Sequence, residues 1–234
     1  MIAVRLQKEA NGAVLAWTNW LALNERLGNN SKFGRAIDHL ILAAIGPIRL
    51  ALARDALITT FRITDPPGSA SDLLTLCHLA KILGQNDLKG FLSGKDWPPQ
   101  LGYSVELVAD AAERNTKKLE FILDYIPAKW DSKNPPRKSA IFDFRNKYKA
   151  MRDGILAHIK DDGAVAHPLV DEITEYVRLS HELVMAAAFI LDGSSLATGD
   201  VYSLAEKSAR KFWSYAEVGA IQAHHVDSER LRTY

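Results

Sequence analysis

Apolar residues recur three and four positions apart along most of this chain, and no stretch alternates strictly enough to predict a strand. "AVLAWTNWLALNERLG" carries that spacing and stops at Gly28 and Asn29, a helix C-terminal signal. A longer pattern runs from Lys32 to Pro66, with Pro47 inside it. Proline removes a donor and clashes with the preceding turn, so a kink or break is expected near Ile45 to Gly46. "SASDLLTLCHLAKILG" follows, with Ser69 or Ser71 as the expected N-cap. In "SVELVADAAERNTKKLEFILDYI", Val105, Val108, Ala112, Leu119, Ile122 and Ile126 fall on one face, with charges opposite. "PAKWDSKNPPRKS" is a connector. The next helix, "AIFDFRNKYKAMRDGILAHI", has Ile141, Phe144, Tyr148, Met151, Ile155 and Ile159 as its apolar stripe. Pro168 suits the first turn of the long helix that follows. The last pattern opens at Ser203 with a capping box to Glu206 and reaches about residue 220. These patterns predict an all-α fold, a bundle of roughly six to eight helices, in a single domain spanning residues 1–234.

Composition narrows the class. The chain has 234 residues, with Lys+Arg 29 against Asp+Glu 28, so any nucleic-acid site has to come from local clustering of charge. Cys77 is the only cysteine, which excludes an intrachain disulfide and suits a reducing compartment. Lys8 and Glu9 stand where a signal peptide needs its apolar core, and the longest clean apolar run, Leu183 to Leu191, is too short to span a bilayer. A cytoplasmic protein without membrane attachment is expected. No phosphate-cradling glycine loop, H-E-x-x-H or G-x-S-x-G motif occurs. His224, His225 and Asp227 sit in a polar terminal stretch that reads as a mobile tail, and no metal cage or cofactor is expected.

One stretch concentrates chemistry. In "MRDGILAHI", Arg152 and His158 have five residues between them, and Asp153 directly follows the arginine. Histidine moves a proton near neutral pH, and arginine binds phosphate oxygens in a fork and stabilises the charge of a pentacoordinate phosphorus. The spacing alone carries little, since 14 arginines and 7 histidines produce about one such pair by chance. Context adds to it. Arg145, Lys149 and Arg152 lie at i, i+4 and i+7 and share a helix face, with Lys147 nearby, giving a local positive stripe suited to flanking phosphates. Six residues of helix rotate by about 240° and rise about 9 Å, so one chain does not aim Arg152 and His158 at one phosphate. Two antiparallel copies of the helix would, and Gly154 between them permits close approach.

"RDGILAH" resembles the R-x4-6-H motif of the HEPN superfamily, all-helical domains that often form metal-independent ribonuclease dimers. "RDALITTFRITDPP", from Arg54 to Pro67, resembles a helix-ending block of its AbiU-like abortive-infection branch. The resemblance covers roughly Ala36 to Ala188, leaves the C-terminal helix 203–220 as an addition, and lacks the tyrosine pair that some HEPN toxins carry after the histidine. It implies a helical bundle of the HEPN type and an endoribonuclease acting in phage defence or as a toxin. The implied partners are RNA, a second copy of the chain and an antitoxin protein. The implied roles are His158 as general acid/base, Arg152 on the transition-state phosphate, Asp153 as orienter, and Arg145 with Lys149 on flanking phosphates. The alternative is a non-catalytic HEPN-like module binding a protein partner or RNA. Arg62 and Asp65, spaced i, i+3, are expected to form a helix ion pair, with support of the catalytic helix as the other option. Trp17, Trp20 and Phe33 are expected in the core.

Overall fold

A computed structural model of the chain describes residues 2–28, 39–65, 75–85, 88, 90, 92, 105–126, 136–152, 168–192 and 198–231. Among these every regular element is helical: α1 (Ile2–Leu27), α2 (His39–Thr64), α3 (Leu76–Leu83), α4 (Val105–Tyr125), α5 (Ala140–Lys147), α6 (Lys149–Met151), α7 (Val170–Asp192) and α8 (Thr198–Leu231). The architecture is an all-α bundle. None of these helices is long and apolar enough to cross a membrane.

The core grows around α1, which packs against α2, α7 and α8. Trp17 is fully buried and stacks on Trp20 with ring centroids 4.6 Å apart. Its Nε1 donates to Thr174 Oγ1 of α7 at 3.0 Å, so the indole is buried without an orphaned donor. Phe33 lies outside the described residues. α7 is the second spine. Its apolar C-terminal half, Leu183 to Ala188, is buried all round and packs against α1 and α4. One contiguous apolar cluster runs from Leu6 of α1 to Ala205 of α8 and includes residues of α2, α3, α4, α5 and α7. Buried threonines satisfy themselves locally: Thr18, Thr60 and Thr64 each donate to the carbonyl four residues back.

Five local expectations differ from the structure. α2 continues through Pro47, so of the kink or break expected there the break does not occur. The carbonyl that proline leaves unpaired belongs to Ala43, and Ala43 and Ala44 are exposed, so water reaches it. The N-cap of α3 is Thr75, whose Oγ1 accepts from the His78 amide at 3.3 Å, while Ser69 and Ser71 fall outside the described residues. Pro168 stands before α7, two residues ahead of its first helical position. α8 starts at Thr198, so Ser203 and Glu206 are helix-interior residues and no capping box forms; α8 also continues to Leu231, through the stretch read as a tail.

Candidate active site

α2 ends at Thr64, and Asp65 follows with its amide bonded to the Arg62 carbonyl at 3.3 Å. This end of α2 faces α5 and α6. Between those two helices Tyr148 leaves the helical region at φ −111°, ψ 16°. The i to i−4 bonds still hold on both sides of it: Tyr148 N to Phe144 O and Arg152 N to Tyr148 O, each at 3.0 Å. The spiral therefore keeps its phase across the interruption, and Arg145 and Arg152, two turns apart, project to the same side. Both reach one atom. Arg145 Nη2 and Arg152 Nη1 each donate to Asp65 Oδ1 at 2.7 Å.

The two arginines differ in their surroundings. The Arg145 side chain is 9% exposed and also donates through Nη1 to Thr64 Oγ1 at 3.2 Å. Thr64 in turn is bonded to the Tyr176 hydroxyl of α7 at 2.6 Å, and burial pushes that phenol far above its usual pKa. Arg145 is thus an inward cation whose desolvation is offset by a carboxylate and a hydroxyl. Its expected place on an open phosphate-tracking stripe is corrected accordingly. The Arg152 side chain is 27% exposed and lies 5.9 Å from the centre of the Phe61 ring. It keeps access to solvent while Asp65 and Phe61 fix its direction. Two guanidiniums against one carboxylate leave this trio with a formal charge of +1.

Lys149 is exposed, as the stripe requires. Lys147 is committed elsewhere, to Glu172 of α7 at 2.7 Å. Glu172 also accepts from the Tyr148 hydroxyl and from the Leu169 amide at 2.9 Å. Those three donors, Lys147 first, hold its carboxyl down to about 2. An open cavity of about 540 Å³ lies between α5 and α7, with Phe144 and Tyr176 among its lining residues. Asp143, Asp171, Glu172 and Glu175 line it against the single cation Lys147, so this side repels phosphate. Arg152 and Lys149 are not among the residues that line it.

Asp153 and His158 lie outside the described residues, as do Gly154, Ile155 and Ile159. The expected Arg62–Asp65 pair does not form: Arg62 bonds Glu9 at 3.3 Å, and Asp65 serves Arg145 and Arg152. The i, i+3 spacing to Arg62 did not indicate the partners that Asp65 has, Arg145 and Arg152. The signal that could have found them was the place of Asp65 at the end of the block Arg54 to Pro67. Thr64 and Tyr176 carried no such signal, because the pairing spans 112 positions. Cys77 is buried behind this network, and desolvation pushes its thiol up to about 12, which disfavours the thiolate. Among the described residues no three His, Cys, Asp or Glu side chains group as metal ligands. Comparison with protein-family models, with curated proteins and with solved structures returns no match to this chain.

Proposed function

We propose that the chain is a metal-independent endoribonuclease of the HEPN type, acting in phage defence or as a toxin. The supporting observation is the contact between Asp65 and Arg152. It joins in space the two separate blocks on which the resemblance rests, and it aims a partly exposed guanidinium from the R-x4-6-H block. In this reading Arg152 stabilises the phosphate in the transition state. His158 moves the proton of the 2′-hydroxyl, Asp153 orients the pair, and Lys149 holds a flanking phosphate. Arg145 becomes a positioning residue that fixes Asp65. The sequence pattern predicts a helix that would not aim Arg152 and His158 together, so in this reading a second copy completes the site.

The alternative, a non-catalytic module for a protein or RNA partner, draws on the same carboxylate: an arginine already bound to an aspartate serves structure without chemistry. One assay separates the two. Purified chain is incubated with mixed cellular RNA in EDTA, beside Arg152→Ala and His158→Ala. The ribonuclease reading expects 2′,3′-cyclic phosphate and 5′-hydroxyl ends, no cutting of 2′-O-methylated RNA, and a loss of roughly a hundredfold or more in each variant. Equal cutting by wild type and both folded variants would assign any activity to a contaminant and leave the binding module. Cutting that EDTA abolishes and Mn²⁺ restores would overturn the mechanism.

A further inference from the structure

Burial sorts the lining of the cavity between α5 and α7 into two zones. Ile141, Phe144, Tyr148, Tyr176 and Leu179 are buried, whereas Asp143, Asp171 and Glu175 are exposed and Glu172 is half-buried. The inner zone is thus apolar and the outer one anionic. Helix period builds both. On α7, Asp171, Glu175 and Leu179 recur at i, i+4 and i+8, with Glu172 and Tyr176 beside them, so all five share one face. Ala140, Phe144 and Tyr148 repeat that spacing along α5 and its C-cap. Each stripe runs over about 12 Å. A volume of about 540 Å³ lies in the range of small-molecule sites, which are mostly apolar with a few polar groups.

Charge says what kind of molecule fits. Four carboxylates against Lys147 leave the lining at a formal −3, in a molecule whose net charge is +1. Arg178, from outside the lining, offsets part of this through Glu175 at 2.8 Å. Among the described residues no ion pair reaches Asp143 or Asp171. Nor do three of these acids group as metal ligands, so the negative charge is spread along the cavity rather than focused on one point. The chain already seats one alkylammonium here. Lys147 Nζ lies 2.7 Å from Glu172 and 5.0 Å from the centre of the Tyr148 ring. A carboxylate and an aromatic ring are two groups that hold such a head.

We propose that this cavity binds a linear aliphatic polyamine with two or three positive charges. Its spaced ammonium groups match spaced carboxylates, and the methylenes between them cover the apolar zone. A divalent metal ion matches neither, because it needs converging oxygens. A phosphate-bearing molecule is repelled. Arg152 is outside the lining, so the site does not rest on the ribonuclease reading.

Equilibrium dialysis of radiolabelled spermidine against the full chain, freed of nucleic acid and held at physiological ionic strength, tests the site. One spermidine should bind per chain with a Kd on the order of 100 µM, as for about ten heavy atoms of modest efficiency. Putrescine, with one charge fewer, should bind several-fold more weakly. Mg²⁺ at equal concentration should leave the spermidine bound. Asp143→Asn with Asp171→Asn should weaken binding about tenfold, the loss of two exposed pairs, with helical circular dichroism unchanged. Ala140→Trp fills the cavity from an exposed position without touching its charge, and it should block binding as well. Asp110→Asn, an exposed acid of α4 outside the lining, should bind as wild type does. No saturable binding, full displacement by equal Mg²⁺, or an equal loss in Asp110→Asn would overturn the proposal. So would unchanged affinity in the folded acid variant or in Ala140→Trp, and the latter decides alone if the acid variant does not fold.

Discussion

Asp65 Oδ1 accepts from two arginines, and the two bonds are not of equal weight. Arg145 is almost fully enclosed, so without Asp65 it becomes a buried cation that has lost a carboxylate and keeps the Thr64 hydroxyl and the Phe61 carbonyl among its contacts. Arg152 can turn to solvent. Asp65→Asn should therefore destabilise the fold by about 2 kcal/mol, below the range for a fully buried pair because Asp65 is itself 29% exposed. Arg152→Ala should cost about 1 kcal/mol or less, since both members of that pair keep access to solvent and Arg145 still holds Asp65. Urea titration of both variants checks the order; an Arg152→Ala variant less stable than Asp65→Asn would mean that Arg152 is the structural member. The same asymmetry explains what was legible at this scale. The i, i+7 spacing placed both arginines on one side of their helix, and they are on one side. It did not tell inside from outside, because the group that draws Arg145 inward lies 80 positions away.

At the scale of elements the seam between α1 and α7 has its own polar tie. His181 is 2% exposed and its Nε2 bonds Asn11 Oδ1 at 2.9 Å. Burial lowers its pKa to about 4. The folded protein thus holds the ring neutral, while the unfolded chain protonates near 6.5. The neutral ring's contribution is complete above pH 6.5 and is lost as pH falls from there towards 4, by roughly 2 kcal/mol between pH 7 and pH 5. Urea midpoints at those two pH values should fall in the wild type and fall less in His181→Gln, which keeps a hydrogen-bonding end without the titration. Glu172 responds only below this window, since its depressed carboxyl loses its contribution between about 4.5 and 2. A parallel fall in both proteins would place the acid sensitivity elsewhere. Elements themselves were legible wherever a single stripe met a single partner: the face of Leu119, Ile122 and Ile126 is buried as read. Ends were less so. Thr75, not a serine further upstream, caps α3, and Pro47 stands inside α2 beside exposed Ala43 and Ala44.

Over the whole molecule, 29 cations balance 28 acids, so attraction for any polyanion has to be local. The cavity between α5 and α7 is lined by four acids and one lysine, while Arg152 lies outside that lining and is held by Asp65. The shared oxygen of Asp65 then has a consequence for counterions. A phosphate that reaches Arg152 meets a guanidinium already half neutralised from within, and fewer condensed ions are released from the nucleic acid than a bare arginine would displace. In Asp65→Asn that internal anion is gone. Binding of an uncleavable 2′-O-methyl RNA, followed by anisotropy across a KCl series, should show a plot of log affinity against log salt steeper by about 0.7 in the variant, the value for one further contact on a single strand. Equal slopes would show that no phosphate competes with Asp65 for Arg152. With the steeper slope, Asp65 acts as a resident competitor of the substrate, and its single charge sets how sharply ionic strength governs occupancy of the site.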